Sequence, residues 1–219
     1  MNIYCEKQEG DLCRMHSLNN FFQKREMNTN KFYEYCDAYD KYYKTKNSRS
    51  IDMFNEGRNV IGFVLKQYYN IFTLLVYDLN LIKKFLPDLS NIFSFSKNHI
   101  FIYKKINNEW FKIDSLSRPQ KQSPLTKNFG YLIVIPEKLK KKFENLFIEQ
   151  IKNSKIYNTK NKKEFFSKNL LGDAEIPLCN LHYLSNKYPV VNKIIKLFRE
   201  NINNKNILML FNNQQFLNS

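Results

Sequence analysis

The sequence predicts an α+β protein in which a helical part comes first and an antiparallel sheet follows it. Up to residue 69, apolar residues recur at helical spacing. From residue 71 to residue 135 the pattern changes to short segments rich in β-branched and aromatic residues, separated by turn-forming residues. Hydrophobic residues make up 43% of the 219 residues, which is enough to form a core. Helices followed by neighbouring antiparallel strands are typical of the α+β class.

The helical part is expected to contain three helices, over residues 11–24, 31–45 and 56–69. Asp11, preceded by Gly10, has a side chain that caps helix N-termini well, so we expect the first helix to begin there. The residues predicted to face the core are Leu12, Met15, Leu18, Phe21 and Phe22 in the first helix, Phe32, Tyr35, Cys36, Tyr39, Tyr42 and Tyr43 in the second, and Val60, Ile61, Val64 and Leu65 in the third.

The sheet is expected to contain four strands, and a short helix over residues 79–87 is expected to follow the first of them. Only five turn-forming residues separate the second strand from the third, so these two strands are predicted to pair as a hairpin. The predicted strands cover residues 71–77, 99–103, 109–114 and 131–135.

Pro136 closes the last predicted strand, and we place a domain boundary there. Residues 1–136 form the α+β domain, and residues 137–219 form a basic, mostly helical extension with 15 basic and 7 acidic residues. Basic amphipathic helices are expected over residues 137–153 and 189–202. The apolar residues Leu139, Phe143, Leu146 and Phe147 need a partner. The extension is therefore expected to be either an additional binding surface packed on the core domain or a docking module for an acidic partner such as nucleic acid or a membrane surface.

The net charge of +15 is a weak indicator of function. The chain contains 29 Lys and 30 Asn, a bias that an A/T-rich coding sequence would produce by itself. A nucleic-acid interface needs basic groups gathered on one face, and composition does not show such a face.

The sequence contains no segment that predicts a membrane span or a secretory signal. The most apolar stretch, residues 71–77, is far shorter than the ~20 residues that a spanning helix needs. The N-terminal residues have no apolar signal-peptide region. We therefore expect an intracellular protein, cytoplasmic or nuclear, whose four cysteines are free thiols.

Cys13 is a candidate nucleophile because it falls in the first turn of the first predicted helix. The N–H groups and the positive dipole end of a helix N-terminus stabilise a thiolate there, although the nearby carboxylate of Asp11 opposes a second anion. The alternative is a small buried residue that packs beside Leu12.

His99 opens the predicted hairpin and Asp114 lies near its other end. With an even number of loop residues, the two side chains fall on the same face of the sheet, opposite each other or as diagonal neighbours. The carboxylate would then hold the imidazole at Nδ1 and direct Nε2 at a thiol, which is the orienter, base and nucleophile arrangement of a cysteine hydrolase. The alternative is an exposed hairpin with a surface His and a turn Asp.

Gln8 lies five residues before Cys13, and its amide is a candidate donor to an oxyanion beside the Cys13 backbone N–H. A zinc site at Cys5, Cys13 and His16 is disfavoured, because no second CxxC or HxxxH pair completes a tetrahedral ligand set.

Residues 6–20 contain the combination E-K-Q-E-G, L-C-x-x-H and L-N-N, which resembles the opening of the Josephin domain, the catalytic domain of the ataxin-3 family of deubiquitinating cysteine proteases. Residues 54–61 resemble the family's helix after its arm. Residues 98–102 and 109–116 resemble its strands carrying the catalytic His and the Asn or Asp. The resemblance covers residues 3–136.

The resemblance implies a papain-like fold and hydrolysis of the bond after the C-terminal glycine of ubiquitin. It implies Cys13 as nucleophile, His99 as general base, Asp114 as orienting residue and Gln8 as oxyanion-hole residue. It gives His16 a structural role, and it requires no metal or cofactor. The expected partner is ubiquitin or polyubiquitin. Two alternatives remain, namely a protease for another ubiquitin-like modifier and an inactive module of the same fold that binds ubiquitin or nucleic acid.

The sequence also departs from the family. The helical arm over residues 24–53 is short and rich in Tyr, Ile100 follows His99 where the family often has Trp, and residues 116–130 leave little room for a further helix. Nothing after Pro136 resembles the family.

Overall fold

The structure, a computed structural model, describes residues 2–43, 46, 48–49, 58–76, 79, 82–83, 86–96, 98–125, 130–141, 145, 174–175 and 187–189. Its described part includes the three α-helices Cys13–Phe22, Thr29–Tyr43 and Arg58–Tyr69 and a seven-stranded sheet in which every pair of neighbouring strands is antiparallel. The predicted α+β class is therefore confirmed.

The three predicted helices are present as α1 (Cys13–Phe22), α2 (Thr29–Tyr43) and α3 (Arg58–Tyr69). Most of the residues predicted to face the core are buried, whereas Tyr42 is half exposed. The predicted cap is wrong, because the N-cap position belongs to Leu12, which makes no side-chain cap hydrogen bond. Asp11 lies one residue too early to cap a helix that begins at Cys13.

The four predicted strands are present, and three further strands complete the sheet. The order across the sheet is β5-β4-β3-β2-β6-β1-β7. The strands are β1 (Thr73–Val76), β2 (Asn91–Phe95), β3 (Ile100–Ile106), β4 (Glu109–Ile113), β5 (Gln120–Lys121), β6 (Gly130–Val134) and β7 (Ala174–Glu175).

Strand β2 lies between β3 and β6 in the middle of the sheet, yet the sequence prediction missed it. Its buried residues Ile92, Phe93 and Phe95 are flanked and interrupted by polar residues, which hid the strand pattern. In the segment expected to form a short helix, residues 79, 82 and 83 are helical, and a 3-10 turn over Leu86–Asp88 follows them.

The hairpin between β3 and β4 closes through a turn of two residues, Asn107 and Asn108. Their φ angles of 50° and 64° lie in the left-handed region, which Asn tolerates better than most residues. The predicted loop over residues 104–108 has five residues and is odd, whereas the observed turn has two residues and is even. In the observed register Ile102 pairs with Ile113 and Ile106 pairs with Glu109.

Helix α1 packs directly on β3. Every residue from Cys13 to Phe21 is buried. The hydroxyl of Ser17 donates a hydrogen bond to the carbonyl oxygen of Ile100, the first residue of β3, at 2.9 Å. The helix is therefore hydrogen-bonded to the first residue of β3, and the candidate His99 is the residue just before it in the chain.

Part of the predicted extension belongs to the same packed unit as the sheet. Residues 137–141 and residue 145 are helical, in agreement with the helix predicted over 137–153. Ala174–Glu175 pairs with β1, and Leu139 and Tyr188 pack against the core. Phe143, Leu146, Phe147 and the predicted helix over 189–202, apart from residue 189, lie outside the described residues. No helix in the described part has the length and apolarity needed to cross a bilayer.

Candidate active site

Cys13 is the first residue of α1 and is almost fully buried, with 1% of its surface exposed. The first helical hydrogen bond runs from the His16 N–H to the Leu12 carbonyl at 3.0 Å. The N–H groups of the first helical residues are those that a helix leaves without intrahelical partners, and their positive partial charge favours a thiolate at this position. Ser17 lies one turn further on the same helix face, so its bond to Ile100 brings that face to the start of β3.

His99 and Asp114 are joined by a hydrogen bond of 2.8 Å between Nε2 and Oδ1. Extending the β3–β4 register by one pair places Asp114 opposite Phe101, so that His99 is its diagonal neighbour on the same face. The shared face that the sequence predicts for an even loop is therefore observed. The predicted ring nitrogen is wrong, because the carboxylate binds Nε2 and not Nδ1.

Cys13 is close enough to the imidazole of His99 for its thiol to raise the pKa of that ring. Since Asp114 binds Nε2, Nδ1 is the ring nitrogen left for the sulfur. Burial by itself would lower the pKa of His99, but the interactions with Asp114 and with Cys13 outweigh it and raise the pKa from 6.5 to about 9. The imidazole is therefore held in its protonated form at neutral pH.

Asp114 is ionised, with its side chain only 7% exposed. Burial opposes ionisation, but the hydrogen bond from His99, the backbone N–H of Leu116 at 3.1 Å and the ammonium of Lys112 lower the pKa of Asp114 to about 2. The Lys112 Nζ lies 3.1 Å from Oδ2 of Asp114. Each carboxylate oxygen thus has its own cationic partner.

Gln8 is hydrogen-bonded to Ser115, the residue that follows Asp114. Its backbone N–H donates to the Ser115 carbonyl at 2.9 Å, and the Ser115 hydroxyl donates to its side-chain oxygen at 2.9 Å. The side-chain Nε2 donates to the carbonyl of Gly10 at 2.8 Å. An amide nitrogen carries two hydrogens, so this bond leaves one of them for another acceptor. The oxyanion role of Gln8 remains a prediction.

A polar network under the N-terminal segment was not foreseen from the sequence. Glu6 Oε2 accepts hydrogen bonds from His16 Nδ1 at 2.8 Å and from Asn19 Nδ2 at 2.7 Å, while the Glu6 N–H donates to Asn20 Oδ1 at 3.0 Å. The Glu9 N–H donates to Nε2 of His16 at 3.1 Å. His16 is buried with both ring nitrogens bonded, in keeping with a structural role. The sequence signal for this network was the helical spacing of the polar residues His16 and Asn19, which places them on one face of a buried helix.

An open cleft of about 380 Å³ adjoins Gln8 and the residues after Asp114. Cys5 lies at this cleft and donates its thiol proton to the Asp114 carbonyl at 3.5 Å. Burial, followed by the charge of Asp114, raises the pKa of Cys5, so its thiol is a poorer nucleophile than an exposed one. The residues that line the cleft are Cys5, Lys7, Gln8, Ser115, Leu116, Ser117, Arg118 and Pro119.

Within the described residues, no three His, Cys, Asp or Glu side chains are grouped so that they would hold a metal ion. Neither a scan against protein-family models nor a comparison with curated proteins finds a match for this chain.

Proposed function

We propose that this protein is a deubiquitinase, a cysteine protease with a papain-like, Josephin-type catalytic domain. The observation that carries the proposal is the hydrogen bond between His99 and Asp114, together with the proximity of the Cys13 thiol to the same imidazole. This arrangement brings a helix N-terminus to a distant hairpin. The three residues occupy the positions of nucleophile, base and orienter in the motif that resembles the Josephin domain. The proposed substrate is ubiquitin or polyubiquitin.

The arrangement supports a two-step acyl transfer. The Cys13 thiolate forms a bond to the carbonyl carbon of the terminal glycine of ubiquitin, and His99 gives its proton to the departing lysine amine as the C–N bond breaks. A thioester between Cys13 and ubiquitin remains. Water then attacks the thioester while His99, now neutral, takes the water proton, and the thiolate is released when the C–S bond breaks. The ubiquitin carboxylate leaves, and the enzyme is restored.

The tetrahedral intermediate of each step places a negative charge on the glycine carbonyl oxygen. We assign its stabilisation to the backbone N–H of Cys13 and to the second N–H of the Gln8 amide. The bonds from Gln8 to Ser115 and Gly10 hold this amide in one orientation, which supports the assignment because little reorganisation is needed when the charge forms.

The proposal is tested with an electrophile attached to the ubiquitin C-terminus and with a fluorogenic ubiquitin substrate. Cys13→Ala should abolish both labelling and turnover. Cys36→Ala provides the matched control, because Cys36 is also a buried free thiol but lies on α2. Normal turnover by the Cys13 variant would refute the mechanism.

The same labelling experiment separates the two alternatives. Exclusive reaction with another ubiquitin-like electrophile would assign the chain to that modifier. An inactive module would react with none of them, although it would retain binding to ubiquitin or nucleic acid. Nucleic-acid binding would be recognised by an affinity that falls steeply with salt concentration.

We place this activity in the cytoplasm or nucleus. The support is that Cys5, Cys13 and Cys36 are free thiols, as a reducing compartment maintains them. The basic residues after Pro136 remain a candidate surface for an additional ubiquitin contact or for an acidic partner. Cell fractionation tests the placement in the cytoplasm or nucleus, because it shows whether the full-length protein is found in the same fraction as its substrate.

A further inference from the structure

Lys112 makes an interaction that the proposed mechanism does not use. It lies two residues before Asp114 in chain order, so both side chains lie on the same face of the hairpin. Its Nζ is 3.1 Å from Asp114 Oδ2, while His99 Nε2 is 2.8 Å from Oδ1. The lysine side chain is 24% exposed, so this ion pair is much less screened than one on an open surface.

The position of the ammonium is also restricted by an aromatic ring. Lys112 Nζ lies 4.3 Å from the centroid of the Phe101 ring, within the range of a cation–π interaction. The same ring lies 6.1 Å from the His99 ring at an interplanar angle of 32°. Phe101 is buried, so its ring is held in place next to both the Lys112 ammonium and the His99 imidazole.

We propose that Lys112 is a positioning residue of this site, which holds the second oxygen of Asp114 and makes the catalytic array electrically neutral. In the ion-pair form, the charges then alternate along the array as thiolate, imidazolium, carboxylate and ammonium. Without the ammonium, the partly buried array would carry a net negative charge. The inference rests on the proposed function only where it concerns turnover.

Neutralisation of Asp114 has a defined consequence for His99. A carboxylate that is shared with Lys112 attracts the imidazole proton less strongly than an unshared one, so the lysine limits the rise in the His99 pKa. That limit matters in the second step, when His99 must be neutral to accept a proton from water. The charged and titratable groups that face His99 and Asp114 are Cys13 from α1, Lys112 from β4 and Cys5 from the N-terminal segment.

The experiment compares Lys112→Met, Lys112→Gln and Lys112→Arg in the full-length protein. The midpoint of the His99 titration is followed by the ¹⁵N shifts of the imidazole. Loss of the charge in the Met and Gln variants should move this midpoint upward by about half a pH unit or more, whereas Arg should restore it. The Gln variant keeps a hydrogen-bond donor, so it gives the same comparison if an apolar side chain is not tolerated.

Lys105→Met is the matched control. Lys105 lies on β3 with its Nζ 5.9 Å from the Trp110 ring centroid, so this variant removes one charge and one cation–π contact away from Asp114. An unchanged His99 midpoint in both neutral Lys112 variants would overturn the proposal. An equal shift in Lys105→Met would do the same, because the effect would then come from net charge alone.

Kinetics provide a second readout. With a ubiquitin substrate at pH 7, Lys112→Gln should lower kcat about threefold while KM stays unchanged, as expected for a smaller fraction of neutral His99. A rise in KM at constant kcat would instead make Lys112 a substrate-contact residue and would contradict the positioning role. The ¹⁵N titration needs no substrate. If the proposed function fails, the titration result for His99 therefore still stands and tests the role of Lys112 separately.

Discussion

Ser17 on α1 donates a hydrogen bond to the carbonyl oxygen of Ile100, at 2.9 Å, and so attaches the helix of the nucleophile to the strand of the base. Cys13 is one helical turn before Ser17, and His99 is the residue before Ile100. This contact joins two chain segments 83 residues apart and lies next to both the thiol and the imidazole in the chain. Both of its ends are buried, where a hydrogen bond is not exposed to exchange with water.

Ser17→Ala should therefore weaken both stability and reactivity. The variant leaves the Ile100 carbonyl without its donor, and we expect a loss of about 1–2 kcal/mol in the free energy of unfolding. It should also slow the reaction of Cys13 with a ubiquitin electrophile. Denaturant unfolding and labelling rates measure the two effects.

Ser94→Ala is the matched control for that substitution. Ser94 is a fully buried serine on β2, and its hydroxyl has no hydrogen-bond partner in the part of the chain that the structure describes. Its removal should be neutral or slightly stabilising, because a desolvated hydroxyl is eliminated without loss of a bond. Equal destabilisation by the two variants would show that the Ser17 contact has no special role.

The His99–Asp114 pair should make stability depend on pH in a defined direction. The pKa of His99 is raised from 6.5 to about 9, so its stabilising contribution is complete below 6.5 and is lost as the pH rises through about 9. The pKa of Asp114 is lowered from 3.8 to about 2, so its contribution is present above 3.8 and is lost as the pH falls through about 2.

Asp114→Asn should remove most of the alkaline dependence. The neutral amide no longer holds the imidazolium, so the His99 midpoint should fall toward its ordinary value and the free energy of unfolding near pH 7 should drop by on the order of 2 kcal/mol. Urea unfolding between pH 6 and pH 10, with ¹⁵N shifts of the His99 ring, checks both expectations. A variant with the wild-type alkaline slope would assign that slope to other groups.

The sequence was sufficient to predict the helices and four strands, because each of these depends on local pattern. The shared face of His99 and Asp114 was predicted only for an even loop, and the observed turn of two residues, shorter than the five predicted, meets that condition. The ring nitrogen was wrong because the sequence pattern does not show how the imidazole is oriented. Strand β2 was missed because its neighbours in the sheet, not its own pattern, define it.

The remaining parts of the site depend on contacts between distant segments, which the sequence pattern does not contain. Nothing in the sequence pattern singles out Lys112, whereas the structure places it on the face of Asp114 and over the Phe101 ring. The position of Gln8 follows from its bonds to Ser115, 107 residues away. Asp11 has a good capping side chain, but packing of the buried helix α1 sets its first residue at Cys13.

The Glu6 network should be required to hold the N-terminal segment in place. Glu6→Ala removes the acceptor of His16 and Asn19, and we expect it to reduce the free energy of unfolding by about 2–3 kcal/mol. Turnover should also fall, because the segment carries Gln8. Glu9→Ala is the control, since Glu9 uses its backbone N–H, which the substitution keeps. The measurement is thermal unfolding of both variants. Equal midpoints for Glu6→Ala and Glu9→Ala would contradict a requirement for the Glu6 network.

The oxyanion role of Gln8 can be separated from a structural role by a choice of reaction. Hydrolysis of a ubiquitin substrate passes through an oxyanion, whereas alkylation of Cys13 by iodoacetamide forms none. Gln8→Ala should therefore lower kcat by a factor on the order of 10²–10³ with little change in KM. The alkylation rate should change far less. Equal losses in both reactions would indicate that Gln8 positions Cys13 through its contacts with Gly10 and Ser115 and does not stabilise the developing charge.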